Sequence, residues 1–309
     1  MHNKLRRLII VAVVGLFLLC AAVAYLYFWL SHPIGSGAAG SIIPLQYFSQ
    51  PWTEKPVMLV GIGDSITAGF GARKGYSYFD RLITNPPDEY AAMRGICLRA
   101  VIPKLQSTNL AVSGSTSLEH AERQLANLSQ FNSNTLGIVV ITTGGNDLIH
   151  NYGRTPPRDQ AMYGATLDEA KPWIEAFQNR LESMMGGIEA HFPGGCQIFL
   201  ANIFDPTDGV GDTVHAGLPP WDGGRKILEA YNDALQLCAK RHSNVHLIDI
   251  HNAFLGHGIH CTQFWSKYYD FDDPHYWYFV NLEDPNERGY DVIRRLFLLE
   301  IAKTVGQLR

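Results

Sequence analysis

The pattern of hydrophobic and polar positions changes character twice along this chain. Leu8–Leu30 contains no charged residue. As a helix rising ~1.5 Å per residue, such a run is long enough to cross a bilayer. Ser31–Ser41 (SHPIGSGAAGS) then reads as a flexible Gly/Ser-rich tether inside a linker over 31–55. From residue 56 onward, short apolar runs alternate with longer amphipathic ones. Val57–Gly61, Gln106–Ala111, Leu136–Thr142, Gln197–Asn202 and Val245–Ile250 predict strands. Ser117–Leu128, Leu167–His191, Lys226–Arg241 and Asn286–Lys303 predict helices. Pro172 falls in the first turn of the second of these, where proline is tolerated. The alternation predicts one α/β domain over 56–309, with a parallel sheet covered by helices on both faces. Its functional groups belong at the carboxyl ends of the strands.

Charge orients the first segment. Lys4, Arg6 and Arg7 precede the apolar run, and no Lys or Arg follows until Lys55. The positive-inside rule puts residues 1–7 in the cytoplasm, residues 8–30 across the membrane and the remainder outside. A cleaved signal peptide is the alternative, but the apolar region is long for one and no small-x-small site ends it. The 309 residues are 46% hydrophobic, enough for a substantial core, and the net charge of −4 gives no basic excess for nucleic acid. Beyond Cys20 in the apolar run, Cys97, Cys196, Cys238 and Cys261 lack metal-ligand spacing. An oxidising compartment would permit pairing, with Cys196–Cys238 the expected bridge.

Chemistry concentrates at three strand ends. Gly63-Asp64-Ser65-Ile66-Thr67-Ala68-Gly69 follows the first predicted strand and can present a serine Oγ beside free backbone N–H groups. Asn109-Leu110-Ala111-Val112-Ser113-Gly114 ends in a glycine that lets a backbone N–H approach a ligand. Thr142-Thr143-Gly144-Gly145-Asn146-Asp147 places an amide side chain in a glycine-rich turn. Singly, Ser65 reads as a helix cap, Gly114 as a turn glycine and Asn146 as an Asx-turn residue. Asp64 and Asp147 read as partners for loop backbone.

Jointly and in order, these segments resemble the SGNH (GDSL) hydrolase family, from Val57 to the C-terminus. The resemblance implies a three-layer α/β/α sandwich with a parallel, flavodoxin-like sheet, here preceded by one transmembrane helix. It implies Ser65 as nucleophile, with an oxyanion hole from the Ser65 N–H, the Gly114 N–H and the Asn146 side chain. It also implies an esterase, lipase, deacetylase or O-acyltransferase that needs no metal or organic cofactor.

The last motif departs from the family. Where Asp-x-x-His-Pro-Asn is expected, the chain reads Asn281-Leu282-Glu283-Asp284-Pro285-Asn286. Pro285, Asn286, Gly289 and Tyr290 match; the histidine position holds Asp284 and the aspartate position Asn281. Asp284, ahead of Pro285 and three before Glu287, reads as an N-cap with a partial capping box. It is also a candidate base, weak at an ordinary pKa of ~4 unless burial raises it. Upstream, Asp272-Asp273-Pro274-His275 has the Asp-x-x-His spacing. An insertion would let His275, oriented by Asp272, serve instead; His257 and His260 are further candidates. Tyr268, Tyr269, Tyr276, Trp277 and Tyr278 around it read either as a sugar- or acyl-binding wall or as loop packing. The acidic loop Asp205–Asp212 reads as a turn-rich connection, since it lacks the EF-hand pattern.

The expectation is a membrane-anchored extracytoplasmic serine esterase acting on glycan or lipid esters through a Ser65 acyl-enzyme. The alternatives are an O-acyltransferase on envelope glycans and a catalytically inactive carbohydrate- or lipid-binding module.

Overall fold

The computed structural model describes residues 2–307. Its strands are β1 (Val57–Ile62), β2 (Leu105–Asn109), β3 (Leu136–Thr142), β4 (Cys196–Ala201) and β5 (Val245–Ile248). All pair in parallel, in the order β2-β1-β3-β4-β5. The helices are α1 (His2–Tyr25), α2 (Ser65–Ala68), α3 (Tyr78–Ile83), α4 (Leu98–Val101), α5 (Ser117–Glu119), α6 (Gly145–Ile149), α7 (Leu167–His191), α8 (Gly224–Arg241), α9 (Ile250–Phe254) and α10 (Glu287–Thr304). The strands agree with the sequence reading to within two residues, and α7 matches it at both ends. The region read as one helix over Ser117–Leu128 is broken: α5 continues as a π turn and then a 3₁₀ turn to Asn127.

Strand side chains alternate between two cores, as a sheet buried on both faces requires. Ile138 and Val140 of β3 face a core shared with Phe297, Leu298 and Ile301 of α10. Val139 and Ile141 face the opposite core, with Phe177 of α7 and Tyr231 of α8. Burying each such α10 side chain contributes about 1.5–3 kcal/mol. The result is the expected α/β/α sandwich. The chain leaves β1 for β2 on one side and returns to β3 on the other, so the topological switch lies between β1 and β3. Ligands bind outside the carboxyl ends of strands at such a point.

α1 continues through a π turn at Leu26–Leu30, and Lys4–Leu30 is long and apolar enough to cross a membrane. The Gly/Ser-rich stretch after it does not hang free. Tyr276 N–H donates to Pro33 O (2.8 Å), and Ala39 N–H donates to Asp291 Oδ2 (3.2 Å). Arg288 donates to Ser36 O (2.7 Å) and Arg295 to Ser41 O (3.0 Å). The glycines serve close approach here. Gly40 has φ +83° and a Cβ there would meet Val292 at 3.0 Å; at Gly35, φ +74°, it would strike the His275 ring at 2.7 Å. Composition suggested flexibility, but the arginines of α10 hold this strap by its carbonyls.

All five cysteines are free thiols, so the expected Cys196–Cys238 bridge is absent. Both are buried in the α7–α8 core, where they pack as small apolar groups.

Candidate active site

Ser65 opens α2 directly after β1. Gly63, with φ +145°, crosses β3 so closely that a Cβ would lie 2.4 Å from Thr142 O. Asp64 caps α2, accepting from Ile66 N–H (3.1 Å) and from Thr142 Oγ1 (2.7 Å). Burial pushes the Asp64 carboxyl up to about 6; these hydrogen bonds oppose the shift and the charge of Asp284 adds to it.

The other two segments are tied to the same turn. Val112 N–H donates to Gly63 O (3.0 Å), and Ser115 Oγ donates to the same carbonyl (3.0 Å). Gly114 lies between them with φ +81° and open space above its Cα. Asn146, near the start of α6, donates through Nδ2 to Ser115 O (3.0 Å). An amide NH₂ has two donors, so one remains for a ligand. Ser65 and Asn146 line one cavity, while Gly114 lines a separate polar cleft with Glu119, His150 and Arg158. Asp147 accepts from Ser117 N–H (2.8 Å), the backbone role expected of it.

His120 was not singled out by the sequence. Its Nε2 meets Ser115 Oγ at 2.8 Å and its Nδ1 meets Thr143 Oγ1 at 2.8 Å, so one ring joins the Gly114 loop to the Asn146 loop. Burial holds its pKa down to about 3, against a hydrogen bond to the Ser115 backbone, and the ring stays neutral. Nothing in a helical pattern distinguishes such a histidine from an ordinary packed one.

The residue facing the Ser65 hydroxyl is Asp284. Asn281 Nδ2 donates to Asp284 Oδ2 (2.7 Å), and Asp284 N–H returns a bond to Asn281 Oδ1 (3.3 Å). Asp284 Oδ1 is buried and has no hydrogen-bond partner, so it has a lone pair free for a proton. Catalytic contacts of this kind commonly tighten when substrate binds. Burial raises the Asp284 pKa, against the nearby Ser65 hydroxyl and the hydrogen bond from Asn281. Its neighbour Glu283, which lines the cavity, is pushed up to about 7 by burial and by the charge of Asp284.

The expected N-cap role of Asp284 is corrected. Asn286 caps α10, accepting from Arg288 N–H (3.0 Å) and Gly289 N–H (3.1 Å). Capping by Asn286 leaves the Asp284 carboxyl free to face Ser65.

The upstream histidines lie in other surroundings. His275 Nδ1 pairs with Asp273 Oδ1 (2.5 Å), not with Asp272, and its ring sits over Gly35 of the strap. Asp272 is exposed, its N–H donating to Asp270 Oδ1 (2.9 Å). His257 stacks on Trp277 with ring centroids 3.3 Å apart, and His260 meets Trp29 edge-on at 6.2 Å. Tyr276, Trp277 and Tyr278 are core residues, so this aromatic run packs a loop. Asp208 accepts from the N–H groups of Gly256 (2.9 Å), Gly258 (2.8 Å) and His260 (2.9 Å) and so ties the acidic loop to the 256–260 segment.

The cavity at Ser65 is about 150 Å³ and mainly apolar, with Leu148, Ile149, Ile203, Tyr163, Trp221 and Leu228 among its walls. Trp221 and Tyr163 pack with ring centroids 4.6 Å apart. These residues come from α6, α8 and loops far apart in the sequence, which is why no local pattern revealed them. Among the described residues, Glu182, Cys238 and His242 have ligand atoms close enough for a metal. They lie on α7 and at the end of α8, away from Ser65, and Glu182 is already paired with His242 (2.7 Å) and Arg241 (3.1 Å).

Residues 62–292 match the model of the GDSL-like Lipase/Acylhydrolase family. Among solved structures, the chain is similar to a member of the lipolytic protein G-D-S-L family from Veillonella parvula DSM 2008. That likeness has 15% identity, covers 78% of this chain and 96% of that one, and has a TM-score of 0.48. It is also similar to phospholipase A1 from Streptomyces albidoflavus NA297, with 21% identity, 80% and 98% coverage and a TM-score of 0.46. A third likeness is to an acetylxylan esterase from Geobacillus stearothermophilus, with 19% identity, 81% and 94% coverage and a TM-score of 0.45. No curated protein matches. The family match begins in β1, ends in α10 and takes in the turn of Ser65, both glycine-rich loops and the Asn281–Asn286 segment, and the chain belongs to the GDSL-like lipase/acylhydrolase family of ester-bond hydrolases.

Proposed function

We propose that this is a membrane-anchored serine esterase whose domain lies outside the cytoplasm and whose general base is Asp284. The observation that carries the reading is the unpartnered Asp284 oxygen facing Ser65, with Asn281 holding the other oxygen. Asp284 takes the Ser65 proton as Oγ attacks the ester carbonyl. The oxyanion is held by the N–H groups of Ser65 and Gly114 and by the Asn146 amide. Protonated Asp284 then gives its proton to the departing alcohol, and water, activated by the same carboxylate, hydrolyses the acyl-enzyme. An ordinary carboxylate is a weak base for this step. Burial beside Asp64 and Glu283 raises its basicity, and Asn281 fixes its direction much as a carboxylate orients an imidazole. The charge bias around Leu8–Leu30 supports the outward orientation of the domain.

Among the described residues no histidine ring is bonded to Ser65, which favours a second reading, a binding module that has lost catalysis. Hydrolysis of 4-nitrophenyl acetate by the full-length protein in detergent, beside Ser65→Ala, separates them. The esterase reading expects a fall of about 10³-fold or more in the variant. Equal rates from the two proteins leave the binding reading.

A further inference from the structure

We propose that the surface carrying Phe264, Trp265 and the 211–218 loop rests in the headgroup layer of the bilayer that α1 spans, so that the ester reaching Ser65 is carried on a lipid of that bilayer. The proposal rests on the serine-esterase reading above for its chemistry, though not for its placement.

Depth is fixed by contacts with the apolar span itself. Phe28 lies within the candidate span, two residues before its end at Leu30. Its ring centroid is 5.6 Å from that of Phe264 and 4.9 Å from that of Trp265. Thr262 Oγ1 donates to Tyr27 O (3.2 Å) and Gln263 Nε2 to Phe28 O (3.1 Å), satisfying carbonyls that the end of a helix leaves open. The 262–265 loop therefore sits level with residues 27–28. If α1 crosses a membrane, this loop is at its margin. A flexible tether would have left that relation undefined; the docked strap defines it.

The exposed side chains suit that layer. Phe264 is 64% exposed and Trp265 52% exposed, beside Tyr27 and Trp29 at the end of the span. Aromatic side chains with an apolar body favour the membrane–water interface. Val210 and Val214 add exposed apolar surface on the neighbouring loop.

The same contacts reach the cavity. Trp29 stacks on His215 with centroids 4.6 Å apart. His215 belongs to the loop whose Gly211, Thr213, Ala216 and Leu218 line the cavity that holds Ser65. One wall of the apolar cavity is thus in contact with the end of the anchor. The reaction is ordinary hydrolysis: the Ser65 Oγ–acyl bond forms as the lipid's acyl C–O bond breaks. The departing alkoxide takes the proton from Asp284, and water releases the fatty acid and restores Ser65.

The test uses full-length protein in phosphatidylcholine nanodiscs. A spin label is placed by Phe264→Cys in a Cys20→Ser background, since Cys20 is the exposed cysteine and the other four are buried. Collision with oxygen, which enters lipid, is compared with collision with a water-soluble nickel chelate. Oxygen is expected to dominate at 264 and the chelate at a control label on α8, Leu237→Cys. Equal, chelate-dominated exposure at both sites overturns the membrane placement. A second arm measures cleavage of a dye-labelled phosphatidylcholine held in the disc and of soluble 4-nitrophenyl acetate. Phe264→Ser with Trp265→Ser is expected to slow the lipid reaction about tenfold through lost interfacial burial, leaving the soluble one unchanged. No lipid cleavage by the native protein while it hydrolyses the soluble ester overturns lipid delivery, as does an equal lipid rate in the double variant. Failure on both esters refutes the esterase reading instead, and the spin-label result still decides the placement.

Discussion

Glu89 and Asp291 lie buried among Arg81, Arg294 and Arg295, whereas Asp64, Glu283 and Asp284 surround Ser65 without an ion pair to any of them among the described residues. Both groups adjoin the start of α10. In the first, burial works against the charge of Glu89, but hydrogen bonds and attraction from Arg294 and Arg81 outweigh it and hold the carboxyl down at about 2. In the second, burial meets no such compensation, and the pKa values rise, to about 6 at Asp64 and about 7 at Glu283. One buried acid cluster keeps Glu89 in its charged state and ties α10 to α3 and to the strap. The other holds its protons more tightly than water would allow, which is what a carboxylate needs to act as a base near neutral pH.

The comparison breaks most sharply at Asp284. Asp284→Asn keeps the side chain's shape but removes the base, and kcat/KM for 4-nitrophenyl acetate is expected to fall about 10²–10⁴-fold with little change in the melting temperature. Glu89→Gln is expected to do the reverse. It leaves buried guanidinium charge uncompensated and should cost about 3–5 kcal/mol in denaturant unfolding, while the folded fraction retains its kcat.

A smaller effect sharpens the proton-transfer claim. Asp284 works only when ionised, so the native rate should rise with pH through a titration above the ordinary carboxyl range of ~4. The double replacement Asp284→His with Asn281→Asp rebuilds the family's usual pair. Its rate–pH profile should have its rising limb near the imidazole value of ~6.5, measured on the same ester.

The smallest expected effect is on stability. Asp64, Glu283 and Asp208, the last pushed up to about 7 by burial despite its backbone hydrogen bonds, all bind protons more tightly folded than unfolded. Their contribution is therefore full below the ordinary carboxyl range and is lost as pH rises through about 6 to 7. Glu89 works oppositely, its contribution being lost only as pH falls towards about 2. Thermal scans should show stability declining from pH ~4.5 to ~7.5, with a shallower decline in Glu283→Gln.

The centre of the sheet was legible because β1, β3 and β4 are apolar on both faces, and β1 and β3 end in glycine-rich turns, as at Ile62–Gly63 and Thr142–Gly145. The same turns carry Ser65 and Asn146, so that half of the candidate site was legible too. The other half depended on tertiary choices. Asp284 and Asn286 both have capping chemistry, and only packing decides that Asn286 caps α10 while Asp284 turns to Ser65. His275 has the right spacing for a base, but the strap at Gly35 and the pairing with Asp273 claim it. The strap itself misled because glycine signals both freedom and close contact, and sequence alone does not say which.

The account's central claim is that Asp284 activates Ser65, and a fluorophosphonate probe tests it without a choice of substrate. The rate of covalent labelling is read by mass spectrometry of the Ser65 peptide, across pH, in the native protein and in Asp284→Asn. The account predicts labelling at Ser65 that accelerates as the carboxyl ionises and slows about 100-fold or more in the variant. Labelling at Ser65 that is equally fast in Asp284→Asn would contradict it.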